Sequence, residues 1–212
     1  MSINIKNIGL TDYDDALVIQ ENMHQAILDG ASESIICCEH SHVFTFGKSA
    51  NKSNLLIDAN FLKKINATIK QIDRGGDITY HGPGQLVCYP IINLRKRGIG
   101  VKKYVEILEE SIVETLRLFG INAYQIKHLT GIWVGEEPQT PKKIGAIGIR
   151  IKQGISMHGF ALNINTDLNY FEYINPCGIS DKSVTSMLEE GIECSLMEFF
   201  QKFSKIFFDL MD

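Results

Sequence analysis

No stretch of the 212-residue chain approaches the ~18 consecutive apolar residues that a membrane-spanning helix requires. The N-terminus, MSINIKNIGLTDYDD, also lacks the basic, apolar and small-residue sections of a signal peptide. A cytoplasmic location and no membrane partner are therefore expected. Excess charge is missing too: 21 basic against 25 acidic residues give a net charge of -4, so no general field draws the chain to nucleic acid. The five cysteines (37, 38, 88, 177 and 194) are odd in number and contain no CxxC pair, which suits neither a disulfide framework nor a zinc cage. Internal repeats, low-complexity tracts and long linkers are likewise absent. A hydrophobic content of 44% and a charged content of 22% argue against disorder, collagen-like repeats and coiled coils. The expectation is a single domain over residues 1–212.

Three segments carry helical periodicity. The first begins at Thr11, with Asp14 three residues on as a capping-box partner, and places Ala16, Ile19, Met23, Ala26 and Ile27 on one face before Gly30. The second aligns Val105, Leu108, Ile112, Leu116 and Phe119 ahead of Gly120. The third opens on the capping box Ser195 and Glu198 and stripes Phe199, Phe203, Ile206 and Leu210. Between them lie short β-branched runs: SIICCEH, HVFTFG, TIKQID, QLVCYPIIN, GIWVG, KIGAIGIRI and MHGFALNIN. Only EEPQTPK separates GIWVG from KIGAIGIRI, so that pair reads as an antiparallel hairpin. The fold class is α+β, a mixed and largely antiparallel sheet flanked by helices.

Chemistry concentrates in three places. RGGDITYHGPGQ (74–85) packs four glycines into ten residues, which marks either tight turns around a strand or backbone brought close to a ligand. It matches neither a P-loop nor a dinucleotide fingerprint. KIGAIGIRI begins with Lys143, and strict alternation puts Lys143, Gly145, Ile147 and Ile149 on one face. If that face lines a pocket, desolvation makes the neutral amine accessible as a base; otherwise the side chain snorkels at the surface, as Lys142 is expected to do. In NPCGIS, Pro176 and Gly178 bracket Cys177 on a turn, where a thiol can be offered to substrate, whereas Cys88 sits inside an apolar run. An inert packed thiol and a core imidazole at His158 are the plainer alternatives.

His40 and His42, near Cys37 and Cys38, have a metal-like i, i+2 spacing, but no second ligand cluster follows and no metal is expected. Arg95, Lys96, Arg97, Lys102 and Lys103 form a basic patch, either a solvated helix start or a dock for an acidic partner protein.

Taken together and in this order, RGGDITYHGPGQ, KIGAIGIRI, MHGFALNIN and PCGIS resemble the lipoyl(octanoyl) transferases. The likeness runs from EHSHVFTFGKSA to SVTSM, with Ser41 where the family commonly has proline. It implies the biotin/lipoate protein ligase fold and transfer of an octanoyl group from acyl carrier protein to a lysine of a lipoyl domain, as the first step of lipoate cofactor synthesis. The acceptors would be the lipoyl domains of 2-oxoacid dehydrogenases and the glycine cleavage H protein. Cys177 would be the nucleophile and Lys143 its acid/base partner. The substrate surface would comprise Arg74, Gly75, Gly76, Tyr80, His81, Gly82, Gly84, Gly145, Ala146, Ile147, Gly148, His158, Gly159 and Ala161. No cofactor is implied, because thioester exchange is close to thermoneutral and amide formation is downhill. Two alternatives stay open: an ATP-dependent lipoate or biotin protein ligase, which needs no nucleophilic cysteine, and a non-catalytic module that binds acyl carrier or lipoyl domains.

Overall fold

The computed structural model describes residues 3–136, 140–175 and 183–212. The principal sheet contains β1 (Ile3–Thr11), β2 (Glu33–His40), β6 (Gln85–Ile91), β10 (Ile155–Asn163), β9 (Lys142–Lys152), β8 (Leu129–Val134) and β7 (Tyr124–Ile126), in that spatial order. A short strand, β11 (Ser183–Val184), pairs with the start of β9. The β1–β2 and β11–β9 pairs are parallel, and every other pair in this sheet is antiparallel. A smaller sheet is ordered β4 (Thr68–Gln71), β3 (Val43–Phe46), β5 (Ile78–His81). The expected GIWVG–KIGAIGIRI hairpin is β8–β9. Strands β1, β5, β7 and β11 lie outside the runs singled out in the sequence.

Alternation in β6 shows how the layers are held. Leu86 and Cys88 face a core shared with α4 (Val101–Leu118) and α5 (Leu196–Met211), while Val87, Tyr89 and Ile91 face α1 (Tyr13–Leu28). The sheet is thus covered on both faces, which explains why the central strands read as apolar runs. The last helix is part of the main core: Phe199, Phe200, Phe203 and Phe207 pack with residues of α4 and β6. Ser195 caps it by accepting from the Glu198 backbone N–H at 3.1 Å, as the capping box predicts. At the first helix the box fails. Thr11 ends β1, donating its hydroxyl to Ile8 O at 2.7 Å, and the helix starts behind Asp12 without a side-chain cap. Strand pairing claims Thr11 before the helix can. No helix among the described residues is long and apolar enough to cross a membrane.

The basic patch needs a correction. Arg97, at the end of α3 (Leu94–Arg97), is turned inward with its side chain only 7% exposed. Its Nε and Nη2 donate to Glu33 Oε2 at 2.9 and 2.6 Å, and Nη1 donates to Met211 O at 3.0 Å. Glu33 Oε1 also accepts from the Asn93 backbone N–H at 2.8 Å. One ion pair therefore ties β2, α3 and the end of α5, leaving Arg95, Lys96, Lys102 and Lys103 at the surface. Removing one partner strands a buried charge, so Arg97→Met should lower the urea-unfolding free energy by about 3 kcal/mol. A change below ~1 kcal/mol would mean that the pair is as weak as a surface ion pair.

Candidate active site

A cavity of about 330 Å³ opens between β5, β6, β8, β9, β10 and the start of α1. That volume lies within the range of small-molecule sites. Its wall includes Lys143, Arg74, Gly76, His81, Gly145, Ala146, Ile147, Gly148, His158, Gly159 and Ala161 from the residues singled out by sequence. Gly75, Tyr80, Gly82 and Gly84 are not part of it. Tyr80 lies fully buried behind the wall, stacked on Tyr170. Gly82 presses against the Tyr80 hydroxyl and Gly84 against Asn165, so their small size serves packing within the chain. Gly75 donates its N–H to Ile149 O at 3.0 Å. Cys177 lies outside the described residues.

Lys143 reaches the cavity by a departure from strict alternation. In the β8–β9 ladder Trp133 pairs with Lys143 and Ile132 with Gly145, leaving Ile144 as an extra residue, a β-bulge. Ile144 and Gly145 both turn to the α4/α5 core: Ile144 is fully buried there, and a Cβ on Gly145 would touch Ile132 and Leu162. Downstream, Ile147 and Ile149 pack against the same core, while a Cβ on Gly148 would strike the Arg74 side chain at 2.8 Å. Lys143 consequently does not share a face with Ile147 and Ile149, as unbroken alternation predicts, but with Ala146 and Gly148. Its Nζ lies 5.0 Å from the centre of the Trp133 ring, a cation–π contact that holds the chain over an aromatic wall. Lys142 points away and donates to Glu190 at 2.8 Å.

His158 sits at φ 55, a conformation that costs a non-glycine residue roughly 1–3 kcal/mol and persists only where the surroundings impose it. Here they do. The β10–β6 ladder stops at Phe160–Cys88, and the His158 N–H donates to Gln20 Oε1 at 2.9 Å. The ring is then held at both nitrogens: Nε2–H donates to Asp73 at 3.0 Å, leaving Nδ1 to accept from Tyr13 Oη at 3.4 Å. Asp73, just before the RGG turn, also pairs with Arg150. The geometry gives His158 the job of holding that turn in place.

His81 donates from Nδ1 to Gln85 Oε1 at 2.8 Å, Gln85 donates to Asn163 Oδ1 at 2.9 Å, and Asn163 donates to Thr185 O at 2.9 Å. Thr185 in turn donates its N–H to Lys143 O at 2.9 Å, so a buried chain of hydrogen bonds links His81 to the Lys143 backbone. Arg74, 8% exposed, donates to Thr45 O at 2.8 Å and Gly75 O at 2.9 Å. Burial, helped by the neighbouring Arg74, pushes His81 down to about 3 and His158 down to about 4. Both rings are neutral at physiological pH. His40 and His42 are engaged as hydrogen-bonding rings: His40 with Thr11 O and Tyr89 Oη, each at 2.7 Å, and His42 with Tyr80 Oη at 2.7 Å. Among the described residues no group of three or more potential metal ligands gathers.

Several cavity residues carry no functional signal in the sequence. Tyr13, His128 and Trp133 contribute to the wall in this way, whereas Gln85 and Asn163, also in the wall, belong to the RGGDITYHGPGQ and MHGFALNIN segments. Trp133 is legible only as a strand residue, and Tyr13 only as part of a helix.

The neutral histidines set a pH dependence. In the unfolded chain each titrates near 6.5, whereas the native rings resist protonation until pH approaches 4 and 3. Stability from this source is full above 6.5 and falls as pH drops below it, by roughly 2 kcal/mol per ring between pH 6.5 and 5. Urea unfolding at pH 7 and pH 5 should show this loss; equal stabilities would contradict the buried neutral assignment.

The chain matches the lipoyl protein ligase A/B catalytic domain family over residues 12–208. It is 48% identical to an octanoyltransferase of Bacteroides fragilis over 180 residues, covering 85% of this chain and 80% of that one. It is 44% identical over 211 residues to an octanoyltransferase of Solibacter usitatus, covering 98% and 92%. In fold it is similar to the bipartite lipoate protein ligase of Thermoplasma acidophilum, studied with its E2 lipoyl domain, at a TM-score of 0.75 and 16% identity, covering 100% of this chain and 84% of that one. With a family match across nearly its whole length and such identity to octanoyltransferases, the chain belongs to the lipoyl protein ligase A/B catalytic domain family, as an acyltransferase of its octanoyl-transferring branch.

Proposed function

We propose that the cavity carries out octanoyl transfer in two half-reactions through a thioester on Cys177, with Lys143 as the acid/base group. The donor is octanoyl-acyl carrier protein and the acceptor a lysine of a lipoyl domain, the class of partner studied with the T. acidophilum ligase. The observation that carries the reading is the bulge that turns Lys143 into the cavity beside Val184, its partner on β11. Phe171, six residues before Cys177, and Val184, seven after it, both line that cavity. The other cysteines are poor nucleophiles. Burial raises Cys37 to about 11 and lifts Cys38 and Cys88 well above the usual thiol range, and burial and Glu198 raise Cys194.

In the first half-reaction the Cys177 thiolate, paired with the Lys143 ammonium, attacks the thioester carbonyl. Backbone N–H groups of the cavity wall hold the tetrahedral oxyanion. The C–S bond to the carrier breaks and Lys143 protonates the departing thiolate, leaving octanoyl-Cys177 and a neutral Lys143. In the second, Lys143 takes a proton from the incoming lysine amine as that nitrogen attacks the new thioester. The amide forms, Cys177 leaves as thiolate, and Lys143 is again an ammonium. Val87, Ala146 and Ala161 supply an apolar wall for the eight-carbon tail, worth about 0.8 kcal/mol per buried methylene. His81, His158 and Gly76 shape the cavity rather than move protons.

Turnover assayed with octanoyl-acyl carrier protein and a lipoyl domain, without nucleotide, tests the reading. Cys177→Ala should abolish it, and Lys143→Ala should slow both half-reactions by at least about 10²-fold while carrier binding persists. Wild-type turnover in Cys177→Ala, or a strict requirement for ATP with free octanoate, would replace this reading with that of an adenylate-forming ligase.

A further inference from the structure

Glu109 is an acidic residue on the buried face of α4, only 9% exposed and flanked in sequence by the core residue Leu108. A carboxylate there requires a partner, and it has one: Oε1 accepts the backbone N–H of Gly131 at 3.1 Å. Gly131 is the place where β8 lets the Lys143 side chain pass. Its φ is +133, and a Cβ there would lie 2.6 Å from Lys143 Cε and 3.2 Å from Nζ. The strand backbone at Gly131 is therefore a rail for the lysine, and Glu109 is the group that fastens it.

Resting on the reading of Lys143 as the acid/base group, we propose that Glu109 is a positioning residue: it fixes Gly131 beneath the Lys143 side chain and supplies a buried negative charge behind the ammonium. Burial raises the Glu109 carboxyl above the usual carboxylate range, as does Glu106, one turn earlier on α4, while the Gly131 N–H and the charge of Lys143 draw it back down. Other groups around the lysine in the cavity include the Trp133 ring, an uncharged platform, and His128. The arrangement suits a group that alternates between ammonium and amine. A fixed anion at its back favours the cationic form with which each cycle begins, and a fixed backbone keeps Nζ in place when the charge is gone.

Two variants separate these contributions. Glu109→Gln keeps an oxygen to accept from Gly131 but removes the charge; Glu109→Leu removes both. The titration of Lys143 is read without reference to activity, by trace acetic anhydride labelling across pH with peptide-resolved mass spectrometry. In Glu109→Gln its midpoint should fall by about one unit, and the acidic limb of the kcat profile should move down with it. In Glu109→Leu kcat should fall about tenfold or more with KM for the lipoyl domain within about twofold. Glu110→Gln, exposed on the same helix, should change neither. An unchanged Lys143 midpoint in Glu109→Gln, or an unchanged kcat in Glu109→Leu, would overturn the proposal. If instead Lys143→Ala turned over normally while the midpoint still moved in Glu109→Gln, the acid/base reading would fall and the pairing of Glu109 with Lys143 would stand.

Discussion

One extra residue in one strand decides what this cavity can do. Ile144 has no partner in the β8–β9 ladder, and through it Lys143 changes sides. Without the bulge, the period-two rule would bury Lys143 with Ile147 and Ile149 in the apolar core, at a desolvation cost that a cation among aliphatic side chains does not recover. With it, Ile144 fills the core and the amine stands over Trp133 in the cavity. Core packing and the placement of the Lys143 amine are thus a single constraint.

The other cavity groups are held by a similar exchange of local cost for position. His158 adopts a strained backbone angle, offset by Gln20, Asp73 and Tyr13, and through Asp73 it fixes the turn that carries Arg74. His81 gives up its basicity to burial and becomes a donor in a chain that ends on the Lys143 backbone. Both rings line the cavity in the neutral form. Asp73 pairs with Arg150 and His158 at its edge, and Glu109 holds the Gly131 backbone.

Much of this architecture is legible in the residues themselves. The seven apolar runs form strands because each is short, β-branched and bounded by turns, and the Ser195 cap forms because nothing competes for it. Arg74 and Gly76 of the glycine-rich turn meet the lysine strand at one cavity. What the residues do not reveal depends on contacts distant in sequence. The bulge arises from the register of β8 against β9, and Thr11 is lost to β1. Arg97 leaves the surface because Glu33 lies 64 positions away in sequence but 2.6 Å away in space. Gly82 and Gly84 look like ligand contacts because close approach of backbone leaves the same sequence mark whether the visitor is a substrate or the chain's own Tyr80 and Asn165.

In the proposed mechanism Cys177 takes the acyl group before the acceptor arrives. Exposing the protein to octanoyl-acyl carrier protein alone, with no acceptor and no nucleotide, and recording its intact mass followed by peptide mapping tests this directly. The account predicts the gain of one octanoyl group, sensitive to hydroxylamine and carried by Cys177. An unmodified Cys177 in a preparation that turns over fully once a lipoyl domain is added would contradict it.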